Sequence, residues 1–329
     1  MQTPTSQQIL AQLIAFDTTS HRSNLALIDH VRAYLAEYGV DSRLVMDATG
    51  QKANLWATIG PADRPGVILS GHTDTVPVEG QDWASDPYAL TARDGRLYGR
   101  GSCDMKGFLA CVLAAVPDLV ARDLARPVHL AFSYDEEVGC VGVVGLLEML
   151  RDEGIRPALC IVGEPSSMQV VIGHKAKRSM RVTVRGRGCH SSLAPQGVNA
   201  VDYAARLVVR MQDIAARLAT EGGRDADYDI THSTAHTGTI RGGTALNIVP
   251  DLCTLDCEFR VLPQEDADAL VQELRDYARD ELEPMMRRIA PEAGIEIEVF
   301  AQFPGLETPP DAEAVTLVKR LTGSNGHSK

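Results

Sequence analysis

Four short apolar segments, ANLWATI (53–59), GVILSG (66–71), VHLAFSY (128–134) and ALCIVG (158–163), constrain this chain more than any other feature. Each has the length and composition of a buried strand, and helical spacing of apolar residues fills the gaps at 106–120 and 141–150. That alternation predicts an α/β layer with a mostly parallel sheet and helices on both of its faces. Two helices are expected ahead of it, at 6–16 and 24–38. Gly39 stands where a left-handed C-terminal cap would close the second.

Beyond about residue 176 the pattern changes. Strand-like segments at 180–184, 235–240, 253–261 and 295–300 enclose helices at 199–218 and 266–287, in the order β-α-β-β-α-β. This is the ferredoxin-like α+β order. In the first of these helices Val201, Ala204, Val208, Met211, Ala215 and Leu218 form an apolar stripe. The expected division is one domain of 1–176 and 304–329, interrupted by a second at 177–303.

Several function classes fall away. No run approaches the roughly 18 to 20 uncharged apolar residues of a membrane span. Lys and Arg number 32 against 44 Asp and Glu, a net charge of −12, and no basic cluster is long enough to follow a row of phosphates. A nucleic-acid partner is not expected. The N-terminus lacks the basic start and apolar core of an export signal, so a soluble, cytoplasmic protein is expected. The seven cysteines are dispersed, without a C-x-x-C pair and mostly inside apolar runs; they read as reduced, buried and structural.

In open α/β sheets ligands bind beyond the carboxyl ends of the strands. In this chain those junctions share one chemistry: His72-Thr73-Asp74 follows GVILSG, Asp104 precedes the 106–120 helix, Asp135-Glu136-Glu137 follows VHLAFSY, and Glu164 follows ALCIVG. Each has an ordinary alternative: a turn for His72 and Asp74, a helix N-cap for Asp104, a solvated loop for Glu136 and Glu137, a strand end for Glu164. Taken together at one rim, the carboxylates would repel one another without a counter-charge, and a divalent cation resolves the conflict. Imidazole with carboxylate oxygen suits zinc better than calcium or magnesium. Adjacent side chains point in different directions, so one of Glu136 and Glu137 can ligate while the other accepts a proton. Elsewhere His232 and His236 lie in a Thr-rich segment without helical pattern, His174 adjoins the expected hinge, and Cys103 is expected to pack.

The strings GHTDTVPV (71–78), YGRGSCDMKGF (98–108), AFSYDEEVGC (131–140), VGEPS (162–166), GCHSSLAP (188–195) and GGTALNIVP (242–250) resemble the M20 metallopeptidase family, in order, from about residue 6 to 325. The resemblance implies a centre for up to two zinc ions, with cobalt as an alternative, bridged by Asp104. His72 and Glu164 would complete one ion, Glu137 would bind the other, Asp74 would orient His72, and Glu136 would be the general base. His190 would reach the site of a partner subunit and meet the developing oxyanion. Asn247 and Arg260 would bind the carboxylate end of the substrate. The 177–303 segment would serve as lid and dimerisation domain of a homodimer. The substrate implied is a small N-acyl amino acid: an acetyl group on ornithine, or in the alternative a succinyl group on diaminopimelate or another aminoacylase substrate. Family members carry a further C-terminal segment with a histidine for the second metal. His327 does not match its surroundings and is expected in a mobile end, so a weakened second metal and an impaired, metal-binding dimer form the remaining alternative.

Overall fold

The computed structural model describes residues 3–329, which divide into two compact units: residues up to 168 with 316–324, and residues 169–315 with 325–329. The first unit runs α1 (Ser6–Ile14), α2 (Leu25–Glu37), β1 (Ser42–Met46), β2 (Ala53–Ile59), β3 (Val67–His72), a hairpin of β4 (Thr91–Arg93) and β5 (Arg96–Tyr98), α3 (Lys106–Val120), β6 (Val128–Ser133), α4 (Val143–Asp152) and β7 (Leu159–Val162). Thr5 and Gln8 form a capping box on α1. Gly39, at φ +69°, closes α2 as expected: its N–H donates to Ala36 and that of Val40 to Leu35, both at 3.0 Å.

The five-stranded sheet has the order β1-β2-β6-β3-β7. β3 pairs in parallel with β6 and β7, while β2 is antiparallel to β1 and β6, so four of the five strands point one way. Helices α1, α2 and α3 cover one face through Leu13, Ile14, Leu27, Ile28, Leu109 and Leu113. The other face buries Trp56, Ile68 and Ala131 under Leu146 and Leu150 of α4. Because β3, β6 and β7 run parallel, His72, Ser133 and Val162 end at one edge. Gly163 allows a close approach there, since a Cβ would stand 2.0 Å from the Phe108 ring of α3.

The second unit comprises β8 (Gly173–His174), β9 (Ala176–Arg185), α5 (Ala200–Glu221), β10 (Thr234–Gly242), β11 (Leu252–Val261), α6 (Ala267–Tyr277), α7 (Glu283–Arg287), β12 (Gly294–Phe303) and β13 (Leu306–Glu307). A final helix, α8 (Glu313–Thr322), spans the point where the division falls. The sheet β10-β11-β9-β12 is antiparallel throughout and has the expected ferredoxin-like order. Alternate residues of β9 (Met180, Val182, Val184) and β11 (Cys253, Leu255, Cys257, Phe259, Val261) join a core with Leu207, Met211, Ile214 and Leu274 of α5 and α6.

The structure departs from the sequence expectations at five places. The units change over at 168/169 rather than 176/177, and residues 304–315 and 325–329 pack with the second. The buried stripe of α5 is Ala200, Ala204, Leu207, Met211, Ile214 and Leu218, so Val201, Val208 and Ala215 lie at its margin. The 266–287 helix is interrupted by a π-type turn at Ala278–Leu282, beside Pro284, which has no N–H for the regular ladder. Only Cys253 and Cys257 are buried, whereas Cys111 and Cys160 lie on the outward sides of α3 and β7 and Cys103 is exposed in the turn before α3. The last residues are not a loose end. Ser328 exchanges backbone hydrogen bonds with Val170 and Ile172, and Lys329 reaches Asp225 at 2.8 Å and Glu307 at 3.1 Å. Among the described residues no helix is long and apolar enough to cross a membrane.

Candidate metal centre

The parallel strands carry their chemistry to one place. His72, the last residue of β3, is buried, and its Nε2 lies 3.0 Å from Asp104 Oδ1, 3.5 Å from Glu164 Oε1 and 3.9 Å from Glu136 Oε2. Two sets of potential ligand atoms, His72–Asp104–Glu137 and His72–Glu136–Glu164, each fit within 4.8 Å. The four expected ligands, His72, Asp104, Glu137 and Glu164, therefore converge, and Glu136 reaches the same cluster. Asp104 is not a helix cap: Met105 occupies that position without a side-chain bond, and the Asp104 carboxylate turns to His72. The Asp104–Met105 peptide is cis.

Electrostatics mark the cluster as short of positive charge. Among the described residues, Asp104, Glu136, Glu137 and Glu164 face His72 and one another, with no lysine or arginine in ion-pair contact. Burial and the neighbouring Asp104, Glu136 and Glu137 carboxylates push Glu164 up to about 7, against the pull of His72. Burial, then Asp104, raises Glu137 as well. Burial opposes charge on His72, but Asp74, Glu164 and Glu136 outweigh it and lift the imidazole to about 9. A protonated histidine thus does what a cation would do better. An imidazole at the floor with half-exposed carboxylates around it suits a divalent ion with an open position for a substrate.

Asp74 holds the arrangement from behind. The His72 Nδ1–H donates to the Asp74 backbone carbonyl at 2.9 Å, with the carboxylate farther off at 3.4 Å, and so leaves Nε2 as the ligating nitrogen. The expected orienting contact is therefore made mainly through the main chain. The Asp74 carboxylate instead accepts the Glu136 N–H at 3.1 Å, the Glu137 N–H at 3.2 Å and the Ser20 hydroxyl at 2.8 Å. Burial opposes its ionisation, but the neighbouring His72 imidazole, with the Ser20 hydroxyl and the Glu136 N–H, outweighs it and keeps its pKa low. Cys140 donates its thiol to Glu136 Oε1 at 3.3 Å; burial, with Glu136 beside it, pushes that thiol up to about 12.

The remaining expected residues lie in the second unit. His190 Nδ1 pairs with the Ser192 hydroxyl at 2.8 Å, and the backbone of Ser191 donates to Asn247, so His190 and Asn247 are neighbours. Arg260 lies at the opposite end of β11, roughly 25 Å along the strand, held by Glu258 at 3.0 Å. Asn247 and Arg260 therefore do not converge on one small ligand within this unit. Sequence reasoning gave no role to Ser20, Asn24 and Lys52 and named Asp135 only as part of its junction. Their polar types resemble any loop, and the burial of Ser20 and Asn24 and the Lys52–Asp135 ion pair distinguish them.

The sequence profile of peptidase family M20/M25/M40 matches residues 68–328. Among curated proteins, the chain is 32% identical to an acetylornithine deacetylase of Proteus mirabilis over 99% of its length and 83% of that protein's. It is 35% identical to one of Myxococcus xanthus, over 98% and 82%. Among solved structures, an M20 family metallo-carboxypeptidase from Sulfolobus solfataricus superposes with a TM-score of 0.74 at 18% identity, covering 97% of this chain and 84% of that one. An aminopeptidase from Bacillus cereus does so at 0.71 and 23%, covering 98% and 83%. The structural likenesses speak for the fold alone. The sequence matches go further, and the profile match spans the whole converged cluster: the chain belongs to peptidase family M20/M25/M40.

Proposed function

We propose that the protein is a zinc-dependent amide hydrolase that removes the acetyl group from N-acetyl-L-ornithine, releasing acetate and ornithine for arginine biosynthesis in the cytoplasm. The observation that carries the hydrolase reading is the His72 cluster, four carboxylates crowded around one buried imidazole. The substrate rests on the curated relatives named acetylornithine deacetylase. His72, Asp104, Glu137 and Glu164 would hold up to two ions, zinc or cobalt by the chemistry of the donors. When bound, such an ion polarises the carbonyl and makes water a stronger acid.

The protein's own groups then have distinct tasks. Glu136 takes the proton from the attacking water and delivers it to the amine as the amide C–N bond breaks. Asp74 fixes the Glu136–Glu137 backbone so that base and ligand keep their separate directions. His190 donates to the developing oxyanion from a partner copy in a homodimer. A well-placed donor of that kind is worth roughly 3 to 4 kcal/mol. Asn247, in the loop before β11, and Arg260, near the far end of that strand, would bind the amino-acid end from different copies.

The test is metal analysis together with hydrolysis of N-acetylornithine and N-succinyl-diaminopimelate, with Glu136→Ala as control. Retained zinc and preferential, Glu136-dependent turnover of N-acetylornithine support the assignment. Preference for the succinyl substrate would move it to the desuccinylase alternative. Metal without turnover of any N-acyl amino acid would leave a silent metal-binding protein.

A further inference from the structure

The Asp74 carboxylate is held by donors of two kinds. The N–H groups of Glu136 and Glu137 belong to the metal cluster itself, with the His72 ring 3.4 Å from the carboxylate. The remaining donor, and the shortest bond, is the hydroxyl of Ser20, on the connection between α1 and α2. Ser20 is 8% exposed, so water gives Oδ2 little replacement for it.

The connection is itself tightly held. The Ser20 N–H donates to Thr75 at 3.1 Å, the Thr75 N–H to Thr18 at 3.2 Å, the Thr18 hydroxyl to the Thr73 carbonyl at 2.6 Å, and the Asn24 amide to the Thr73 hydroxyl at 2.9 Å. On its other side the Ser20 carbonyl accepts the Lys52 ammonium, which grips both oxygens of Asp135 at 2.6 and 2.7 Å. Asp135 immediately precedes Glu136. Ser20 therefore meets the Glu136–Glu137 segment by two routes, its hydroxyl through Asp74 and its carbonyl through Lys52 and Asp135.

We infer that Ser20 is a positioning residue of the metal centre, acting through Asp74 to hold Glu136 and Glu137 in register with His72. The inference rests on the metal-hydrolase reading above. Without the hydroxyl, the carboxylate keeps one backbone donor on each oxygen, at 3.1 and 3.2 Å, but loses its shortest bond and its tie to the α1–α2 connection, which loosens the peptide that carries both the base and a ligand.

The experiment titrates Co2+ alone into the metal-free 329-residue chain, followed by its visible absorption, and measures kcat and KM for N-acetylornithine separately. Ser20→Ala is expected to bind Co2+ about 10- to 100-fold more weakly, with an altered band, and to lose kcat by a similar factor. KM is expected to stay within about threefold, because Ser20 does not touch substrate. In an Asp74→Asn background, Ser20→Ala is expected to add less than about twofold. Thr58→Val, which removes a hydroxyl bonded to His129 elsewhere in the same unit, is expected to change neither quantity. Co2+ binding by Ser20→Ala within about twofold of wild type, or a full additive loss in the Asp74→Asn background, overturns the role of Ser20. A wild-type chain that binds no Co2+ overturns the metal-hydrolase reading instead. The two failures are thus distinguishable.

Discussion

Acidic residues at the sheet edge of the first unit and those on the second unit are treated in opposite ways. In the second, Asp256 faces Arg181 at 2.8 Å, Glu258 faces Arg260 at 3.0 Å, and Glu273 is bracketed by Arg210 and Arg217. In the first, Asp104, Glu136, Glu137 and Glu164 crowd one histidine, with no lysine or arginine partner among the described residues. Paired surface charges are the ordinary solution and contribute little to stability or chemistry. A crowded, half-buried group of carboxylates is costly unless something brings positive charge. The contrast identifies the sheet edge as a site built for a cation, and the second unit's ion pairs as solvated scaffold.

The largest effect should come from removing the imidazole. His72→Ala is expected to lower kcat/KM by at least about 10³-fold and to abolish metal retention, measured by activity and elemental analysis. Next comes the division of labour between neighbours. Glu136→Gln is expected to cut kcat by about 10²- to 10⁴-fold while metal is retained, and Glu137→Gln to lose metal first. The reverse pattern would exchange their roles.

The pH dependence of metal-free stability is a smaller effect of defined sign. Glu164, raised to about 7 from an ordinary 4.5, and His72, raised to about 9 from 6.5, bind protons more tightly folded than unfolded. Their contribution is present at low pH and is lost as pH rises through those folded values. Urea midpoints of the metal-free protein should therefore fall between about pH 5 and 9, less steeply in Glu164→Gln, and added zinc should flatten the slope. The smallest effect belongs to the second unit: Arg181→Met is expected to leave metal binding unchanged and to move Tm by no more than about 2 °C. A large change there would break the comparison.

Most of the site was legible in the sequence because its residues follow immediately after strands that announce themselves as unbroken apolar runs. His72 ends β3, and Glu136, Glu137 and Glu164 begin the segments after β6 and β7. What escaped has particular causes. β1, SRLVM, alternates weakly and is only partly buried, so it lacks a strand pattern. The β4–β5 hairpin did carry a signal, Asp94-Gly95 at φ +51° and +72°, of the kind two-residue hairpins prefer, but its strands of three residues offer little pattern around it. The reversed direction of β2 follows from its pairing with β1, so missing one hid the other. Ser20, Lys52 and Asp135 act through bonds spanning 32 to 83 residues of chain, which no local pattern encodes.

The central claim, that the carboxylates and histidine at the end of the parallel strands exist to hold a divalent ion, is tested most directly by equilibrium dialysis. Metal-free wild type and the His72→Ala/Asp104→Ala double variant would be dialysed against Zn2+ at neutral pH and the protein-bound metal counted. The account predicts zinc on the wild type and none on the variant. Equal zinc on both, or none on either, would contradict it.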